Sequence, residues 1–324
     1  MIQNRPEIDF SKLSTFSIYD RKSKVTLDDF ASPWKTGSSF QKFLDGLPEI
    51  LGGKDIKNVI HSIVTAVKTN RTVMLAMGAH VIKVGLNPLL IQLFEKGVIH
   101  ALALNGAGII HDTELALAGK TSEDVAASLD DGQFGMAKET AEFICMAIEK
   151  SQKASEGLGT AIGQAILDAK LPYANHSLTA NCVRLGIPVT VHVAIGTDII
   201  HMHHAFNAKA AGEATYKDFN TFASIVATLA HGVYINMGSA VILPEVFLKA
   251  LTLTRNLGFK VHSFTAINMD FIRQYRPLTN VVNRPTLSNG TGINLVGHHE
   301  ILLPIIACGV MENLANEIGN CMVE

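Results

Sequence analysis

The fold class of this chain can be predicted from the stretch TVMLAMGAHVIKVGLNPLLIQLFEKGVIHALALNGAG, residues 72–108. This stretch contains two short apolar runs, TVMLAMG at 72–78 and VIHALALNGAG at 98–108, and both run into glycine. Between them, residues 86–97 carry apolar side chains at helical spacing and end at a glycine cap. A strand, a helix and a second strand in this order predict a βαβ unit, in which the two strands are parallel.

The same alternation continues through the rest of the chain. The predicted strands are continuous apolar runs, which is typical of parallel strands that are covered on both faces. We therefore predict an α/β fold with a Rossmann-type doubly wound parallel sheet. Further strands are predicted at 187–196, 233–240 and 259–268, and further helices at 222–232, 244–258 and 301–319.

The two ends of the chain differ in character. Residues 1–40 are polar and irregular, and we expect an N-terminal arm that docks on the body or on a neighbouring subunit. Helices are predicted at 40–53 and 56–70, and residues 41–324 are predicted to form a single α/β domain. The segment 273–292 has two Arg-Pro dipeptides and no aliphatic periodicity, which predicts a long ordered loop.

The composition excludes several classes of protein. Hydrophobic residues make up 48% of the 324 residues, which is ample for a buried core. The formal net charge of -2 argues against a nucleic-acid binder or a membrane-surface binder, because these need a concentrated basic field. No uncharged apolar run approaches the roughly 18 residues of a spanning helix. Four scattered cysteines without a CxxC pair indicate a reduced, cytoplasmic protein.

Ligand-binding residues are expected just after the strands, because ligands of open parallel sheets bind beyond the carboxyl ends of the strands. The turns NGAG at 105–108 and MGSA at 237–240 contain small residues, which allow a backbone to approach a phosphate group closely. The segments expected at strand ends are 77–85, 105–114, 196–204, 236–240 and 265–270.

Histidines supply the candidate chemistry at these strand ends. His201 and His111 are candidate general bases, because imidazole titrates near neutral pH. Asp198 and Asp112 are the candidate carboxylates that would orient them. Arg276 and Arg284, in the predicted loop, are candidates for holding a substrate anion. The remaining alternatives are a polar loop with satisfied histidines, or a metal on His201, His203 and His111; a metal is not predicted, because no HExxH-like spacing occurs.

The order of these motifs resembles the NAD-binding core of deoxyhypusine synthase. The similarity begins with VMLAMGAHVIKVGLNPLLIQLFEKGVIHALALNGAGIIHDTELAL at 73–117 and covers roughly residues 70–315 in collinear order. Later segments that carry it are IPVTVHVAIGTDIIHM, GVYINMGSAVI, TAINMD and LVGHHEILLPII. The resemblance implies a homotetramer with NAD at subunit interfaces. The residues that it places at the cofactor are Ala79, His80, Lys83, Asn105, Gly106, Ala107, Gly238, Ser239, Thr265, Ala266, His298 and His299.

Departures from that family change the expected reaction. The acidic positions that would hold a polyamine correspond to Ile110, His111 and His201 here. The family's imine-forming lysine should fall near residues 284–286, yet no lysine follows Lys260. We therefore predict an NAD-dependent oxidoreductase or transferase that acts by hydride transfer on a small neutral or anionic metabolite, and not a deoxyhypusine synthase. The alternatives are a non-catalytic nucleotide-binding regulatory module and a histidine-ligated metal hydrolase.

Overall fold

The fold is built on one sheet of six parallel strands in the order β3-β2-β1-β4-β5-β6. A computed structural model describes the backbone of residues 5–320 and the side chains of residues 5–315; the outermost residues of the predicted arm and domain, 1–4 and 321–324, lie outside the described residues. This order confirms the predicted α/β Rossmann-type sheet. The strands are β1 Val73–Met77, β2 Ala101–Asn105, β3 Val189–His192, β4 Val233–Met237, β5 Thr265–Asp270 and β6 Thr291–Val296.

Helices connect the strands and cover both faces of the sheet. The α-helices are α1 Phe40–Asp45, α2 Leu51–Lys68, α3 His80–Lys83, α4 Asn87–Glu95, α5 Gly106–Ala118, α6 Val125–Ser128, α7 Lys138–Ala154, α8 Leu158–Asp168, α9 Leu178–Leu185, α10 Ala208–Val226, α11 Ile242–Asn256, α12 Tyr275–Pro277 and α13 His299–Asn320. A π-helical turn spans Leu278–Asn283, and 3₁₀ turns span Phe10–Lys12, Leu27–Asp29, Ala174–His176, Ile199–Met202 and Arg284–Thr286.

Alternate residues of β1, β2, β4 and β5 enter two separate cores. Leu75 and Met77 of β1 belong to the larger core, which α2, α4, α5 and α13 help to form. Met74 and Ala76 of the same strand face the smaller core, which contains Tyr234 of β4. Burial on both faces explains why the strands read as continuous apolar runs.

The sequence interpretation of residues 273–292 was wrong. This segment contains α12, the π-helical turn and a 3₁₀ turn, and it leads into β6, which pairs with β5 in parallel. Two of its own residues, Val281 and Val282, are buried. The prolines of this segment argued against helical turns in the sequence, because proline is disfavoured inside helices. Proline is nevertheless accepted at the first positions of a helix. β6 is an edge strand, and only its residues Ile293 and Leu295 are buried.

Two other boundaries differ from the sequence interpretation. The predicted helix over 40–53 is divided, because α1 ends at Asp45 and a segment containing Pro48 separates it from α2. The segment TAINMD at 265–270 was expected to follow a strand, but it is β5 itself. Thr265 therefore lies at the amino end of the sheet.

Residues 5–39 contain two short 3₁₀ turns and no longer helix or strand. All of their residues are exposed apart from Asp29 and Ser38, which are partly buried. Main-chain hydrogen bonds from Ser32 to Gly46 and from Glu49 to Asp29 connect this segment to the body. Among the helices within residues 5–320, none has both the length and the apolar character needed to cross a membrane.

Candidate functional site

The centre of the sheet contains the switch point at which the strand order reverses. β1 and β4 are neighbours there, and β2 lies beyond β1 while β5 lies beyond β4. Gly78 directly follows β1, and Gly238 directly follows β4. A Cβ atom on Gly78 would be 2.3 Å from the carbonyl oxygen of Gly238, so only glycine permits this close approach of the two main chains. Crevices at such switch points are the usual ligand sites of open parallel sheets.

His299 places an unpartnered acceptor at the switch point. It is 1% exposed, and its ring lies against Gly238. Its Nε2 lies 3.1 Å from the carbonyl oxygen of Met269, which can only accept, so Nε2 carries the proton. Burial lowers the pKa of His299 and keeps the ring neutral. Nδ1 is then a buried acceptor without a partner among the described residues, and the ring of His80 is 5.5 Å away.

A cleft lies next to the switch point, beyond the carboxyl ends of β2 and β3. Its volume, counting the part that is open to solvent, is about 620 Å³. Its walls come from α3, from α5, from the loop after α5 and from the loop after β3. The polar side chains in this lining are Lys83, His111, Glu114, Ser122, Glu123, Thr197 and Asp198.

Asp198 closes one wall of the cleft by packing on the start of α5. A Cβ atom on Gly106 would be 2.0 Å from Oδ2 of Asp198, so this contact also requires glycine. Asp198 is 8% exposed, its Oδ2 has no partner among the described residues, and burial raises its pKa. Asn105 caps the same helix, because its side-chain oxygen accepts from the Gly108 amide at 3.0 Å.

His111 forms a hydrogen-bonded cluster with Thr121 and Glu114 in the cleft. Its Nδ1 is 2.6 Å from Oγ1 of Thr121, and the Thr121 hydroxyl donates to the Glu114 carboxylate. Thr140 donates to the same carboxylate at 3.3 Å. Burial alone would raise the pKa of Glu114, but the neighbouring His111 ring and the hydroxyl of Thr121 outweigh it, and the pKa is lowered.

Glu114 and Thr121 were not among the site residues predicted from the sequence. A signal for Glu114 was available, because residues three apart on a helix lie on the same side and His111 is three residues before it. Thr121 gave no such signal. It reaches the cluster because the chain turns at Gly119, which has a φ of 66° and lies against the ring of Tyr173.

The structure brings most of the sequence-predicted residues to these two places. Ala79, His80, Gly238, Ser239 and His299 surround the switch point. Asn105 and Gly106 lie between the switch point and the cleft. His298, exposed just before α13, has its Nδ1 3.7 Å from the Glu300 carboxylate. The predicted residues that line the cleft are Lys83, Ala107, His111 and Asp198.

Asp112 does not orient His111, which corrects the sequence interpretation. Its carboxylate is fully buried on another side of α5. It accepts hydrogen bonds from the hydroxyls of Ser177 and Thr179 at 2.7 Å and from the main-chain amides of Leu178 and Thr179. Asp112 therefore fixes the start of α9 and has no contact with the cleft.

His201 was interpreted as a general base, and its contacts do not favour this role. Its Nδ1 already accepts from the main-chain amides of Gly196 and Asp198, both at 3.2 Å. Its Nε2 is buried without a partner among the described residues, and its ring packs on Phe206. A base needs a lone pair that a substrate can reach, and neither nitrogen offers one.

The arginines and one pair of expected cofactor contacts also lie elsewhere. Arg276 is 3.5 Å from the Glu245 carboxylate, and Arg284 donates to Asn280 at 3.0 Å. Neither arginine lines the cleft, so the expected clamp on a substrate anion is not formed. Thr265 and Ala266 begin β5 at the amino end of the sheet, whereas the switch-point crevice lies at its carboxyl end. Their expected position beside the cofactor was therefore wrong.

A metal on His201, His203 and His111 is not supported by the geometry. Within the described residues, no three His, Cys, Asp or Glu side chains come close enough together to hold a metal ion. The rings of His203 and His204 lie against each other instead, tilted by 35° with their centroids 4.3 Å apart.

No protein-family model and no curated protein matches the chain. Solved structures with a similar fold include AgrE in a ternary complex with ornithine and NAD+, with a TM-score of 0.53 and 13% identity; the match covers 81% of this chain and 33% of AgrE. Unliganded AgrE matches with a TM-score of 0.51 and 14% identity, over 79% and 32% of the two chains. A putative deoxyhypusine synthase from Entamoeba histolytica matches with a TM-score of 0.50 and 10% identity, over 87% and 96%.

These similarities establish a shared fold. The chain spans about a third of the length of AgrE. The match to the putative deoxyhypusine synthase extends over nearly all of both chains, so the fold that the sequence resemblance implied is the one observed.

Proposed function

We propose that this chain binds NAD at the switch point between β1 and β4 and acts as an NAD-dependent enzyme on a small metabolite held in the adjoining cleft. The observation that carries the proposal is the pair of glycine turns, Gly78 and Gly238, packed against each other in a sheet of Rossmann order. The fold shared with AgrE, which was solved with NAD+, supports the same cofactor.

The residues at the switch point fit a dinucleotide. The buried Nδ1 of His299 is an acceptor that a ribose hydroxyl or a carboxamide N–H would satisfy. Ala79 and Ser239 flank the two glycine turns, where small side chains leave room for a ligand, and the ammonium of Lys83 would balance part of the pyrophosphate charge. Asn105 ends β2 with an amide in place of a ribose-reading carboxylate.

A bound nicotinamide ring supplies hydride acceptance and return. The chain's own contribution is to hold the substrate and to move a proton. We assign the proton transfer to His111, because it lines the cleft and its Nε2 has no hydrogen bond within residues 5–315. Val125, which begins α6, and Phe134 complete an apolar side of the cleft and would limit the access of water.

The charges of the cleft narrow the class of substrate. Three carboxyl groups, those of Glu114, Glu123 and Asp198, line it together with one ammonium group, that of Lys83. An excess of carboxyl groups disfavours the binding of an anionic substrate, and the arginines that were expected to hold an anion lie elsewhere. We therefore propose a neutral or positively charged metabolite in place of the anionic one that the sequence also allowed.

Calorimetry tests the cofactor assignment. We expect wild-type protein to bind NAD, and Lys83→Ala to weaken binding by at least about tenfold, since a charge-assisted contact contributes about 1.5–3 kcal/mol. His204→Ala, a change at an exposed histidine outside the cleft, is the matched control and should bind as the wild type does. An absence of binding to either nicotinamide coenzyme would remove the proposal. Binding without any change in nicotinamide absorbance across a broad metabolite panel would favour a regulatory module.

We also propose a homo-oligomer, a tetramer by the family resemblance. The support is the segment 5–39, which exposes large apolar side chains that a single chain leaves in water. These exposed side chains are Ile8, Phe10, Leu13, Phe16, Ile18, Tyr19, Val25, Leu27, Phe30 and Trp34. Light scattering should give the mass of an assembly for the full chain and a smaller mass after deletion of residues 1–36. A monomeric full chain would overturn this proposal.

A further inference from the structure

We propose that Glu114 and Thr121 are positioning residues that hold His111 in the one neutral tautomer whose Nε2 lone pair faces the cleft. Two hydrogen bonds, from His111 to Thr121 and from Thr121 to Glu114, fix this tautomer through their direction. Its catalytic consequence rests on the proposed function, but the tautomer is a property of the protein without any ligand.

The first step is the protonation state of Glu114. Its carboxylate receives the hydroxyl groups of Thr121 and Thr140, one on each oxygen. A carboxylate that accepts from two hydroxyls is stabilised in its ionised form, and the lowered pKa of Glu114 agrees with this. An ionised carboxylate can only accept hydrogen bonds.

The second step follows from the single proton of a threonine hydroxyl. Because Glu114 can only accept, Thr121 must donate its one proton to that carboxylate. Its oxygen is then left with lone pairs toward His111, whose Nδ1 is 2.6 Å away. Nδ1 must therefore carry the ring proton and donate it to Thr121. In the neutral ring this leaves Nε2 unprotonated.

The third step concerns where Nε2 lies. His111 lines the cleft together with Lys83 and Asp198. Its side chain is 17% exposed, and Nε2 is not one of the buried unpartnered atoms in the described part of the chain. The nitrogen with the available lone pair is thus the one that a molecule in the cleft can reach. This is the arrangement of a general base oriented through its other ring nitrogen.

The backbone explains why Thr121 can serve as the intermediate group. His111 and Glu114 are three residues apart on α5, with Nδ1 3.7 Å from Oε2, which is too long for a direct hydrogen bond. The turn at Gly119 returns the chain along the helix and inserts the Thr121 hydroxyl between them. Glu114 therefore acts on the ring through Thr121.

The tautomer can be measured by nitrogen NMR of labelled histidine in the full-length protein, with His111→Gln used to assign the signal. At a pH where the ring is neutral, we expect Nδ1 to be protonated in the wild type. Thr121→Val keeps the side-chain shape and removes the hydroxyl, so the proton should redistribute toward Nε2. Thr121→Ser should restore the wild-type signal, since it restores the hydroxyl.

Thr140→Val is the matched control, because Thr140 donates to Glu114 without touching His111, and it should keep the wild-type tautomer.

If turnover is observed, Thr121→Val should lower kcat by about 10- to 100-fold, as loss of an outer-shell partner commonly does, with Thr121→Ser close to wild type. A wild-type ring protonated at Nε2, or an unchanged tautomer in Thr121→Val, would overturn the inference. Failure of NAD binding in calorimetry would instead count against the proposed function alone.

Discussion

The carboxylate of Asp198 lies directly against the backbone of Gly106, so that the loop after β3 rests on the first residue of α5. A Cβ atom at position 106 would be 2.0 Å from Oδ2 of Asp198 and 2.6 Å from its Cγ. The contact joins the ends of two neighbouring strands, β2 and β3. It sets the width of the cleft, because Asp198 lies on one wall and α5 forms another.

Gly106→Ala should therefore displace the loop that carries Asp198. We expect a loss of about 1–3 kcal/mol in the free energy of unfolding, which is typical of overpacking at a close contact. The matched control is Gly212→Ala in α10, where a new Cβ meets no atom within 4 Å; it should stabilise by up to about 1 kcal/mol through helix propensity. Denaturant unfolding measures both, and equal effects of the two changes would contradict the contact.

Asp112 should behave as a structural residue. Asp112→Ala leaves two main-chain amides and two hydroxyls at the start of α9 without their acceptor, and we expect a loss of about 3 kcal/mol or more. Asp112→Asn keeps one acceptor oxygen and should lose less. Thermal unfolding checks the order of the three proteins. A stable Asp112→Ala protein that has lost turnover would instead support the original interpretation, in which Asp112 orients His111 in the cleft.

The two candidate histidines should separate in kinetics. His111→Gln should lower kcat by about 10²- to 10⁴-fold, the usual contribution of a general base. His201→Ala should keep kcat within about threefold once the protein is folded, since neither ring nitrogen of His201 reaches the cleft. The measurement is the steady-state rate of nicotinamide reduction. A larger loss of kcat in His201→Ala than in His111→Gln would instead identify His201 as the general base.

Asp218 should make the stability of the protein depend on pH. Burial raises its pKa from 3.8 to about 7, although the amides of Gly159 and Val191 donate to its Oδ2 at 2.9 and 2.7 Å. Between these two pKa values the unfolded chain releases the proton that the folded chain keeps. Its contribution is therefore fully present below pH 3.8 and is lost as pH rises to about 7.

The expected slope is a loss of up to about 1.4 kcal/mol per pH unit from this one group. Asp218→Asn retains an acceptor oxygen and cannot titrate, so its free energy of unfolding should fall less steeply over the same pH range. Urea unfolding at several pH values compares the two proteins. Parallel curves for wild type and Asp218→Asn would show that Asp218 does not titrate in this range.

The parallel sheet could be predicted from the amino-acid sequence alone. Short apolar runs that end near glycine, separated by helical stretches, leave little choice but parallel strands covered on both faces, and β1, β2 and β4 lie where those runs were found. Their order along the chain also placed Lys83, His111 and Gly238 after strands. The resemblance of motifs pointed to the fold family for the same reason, since it followed the strand ends.

Which of these side chains share a site became clear only from the three-dimensional packing of the chain. His111 and Asp112 are adjacent in sequence, but successive residues on a helix point about 100° apart, so one lines the cleft and the other caps α9. Thr121 joined the site through a turn with a positive φ at Gly119. Local sequence patterns indicate which residues are buried and whether they repeat with the period of a helix or a strand. The direction in which a side chain points, and the path by which a loop comes back to a helix, depend on contacts between distant parts of the chain.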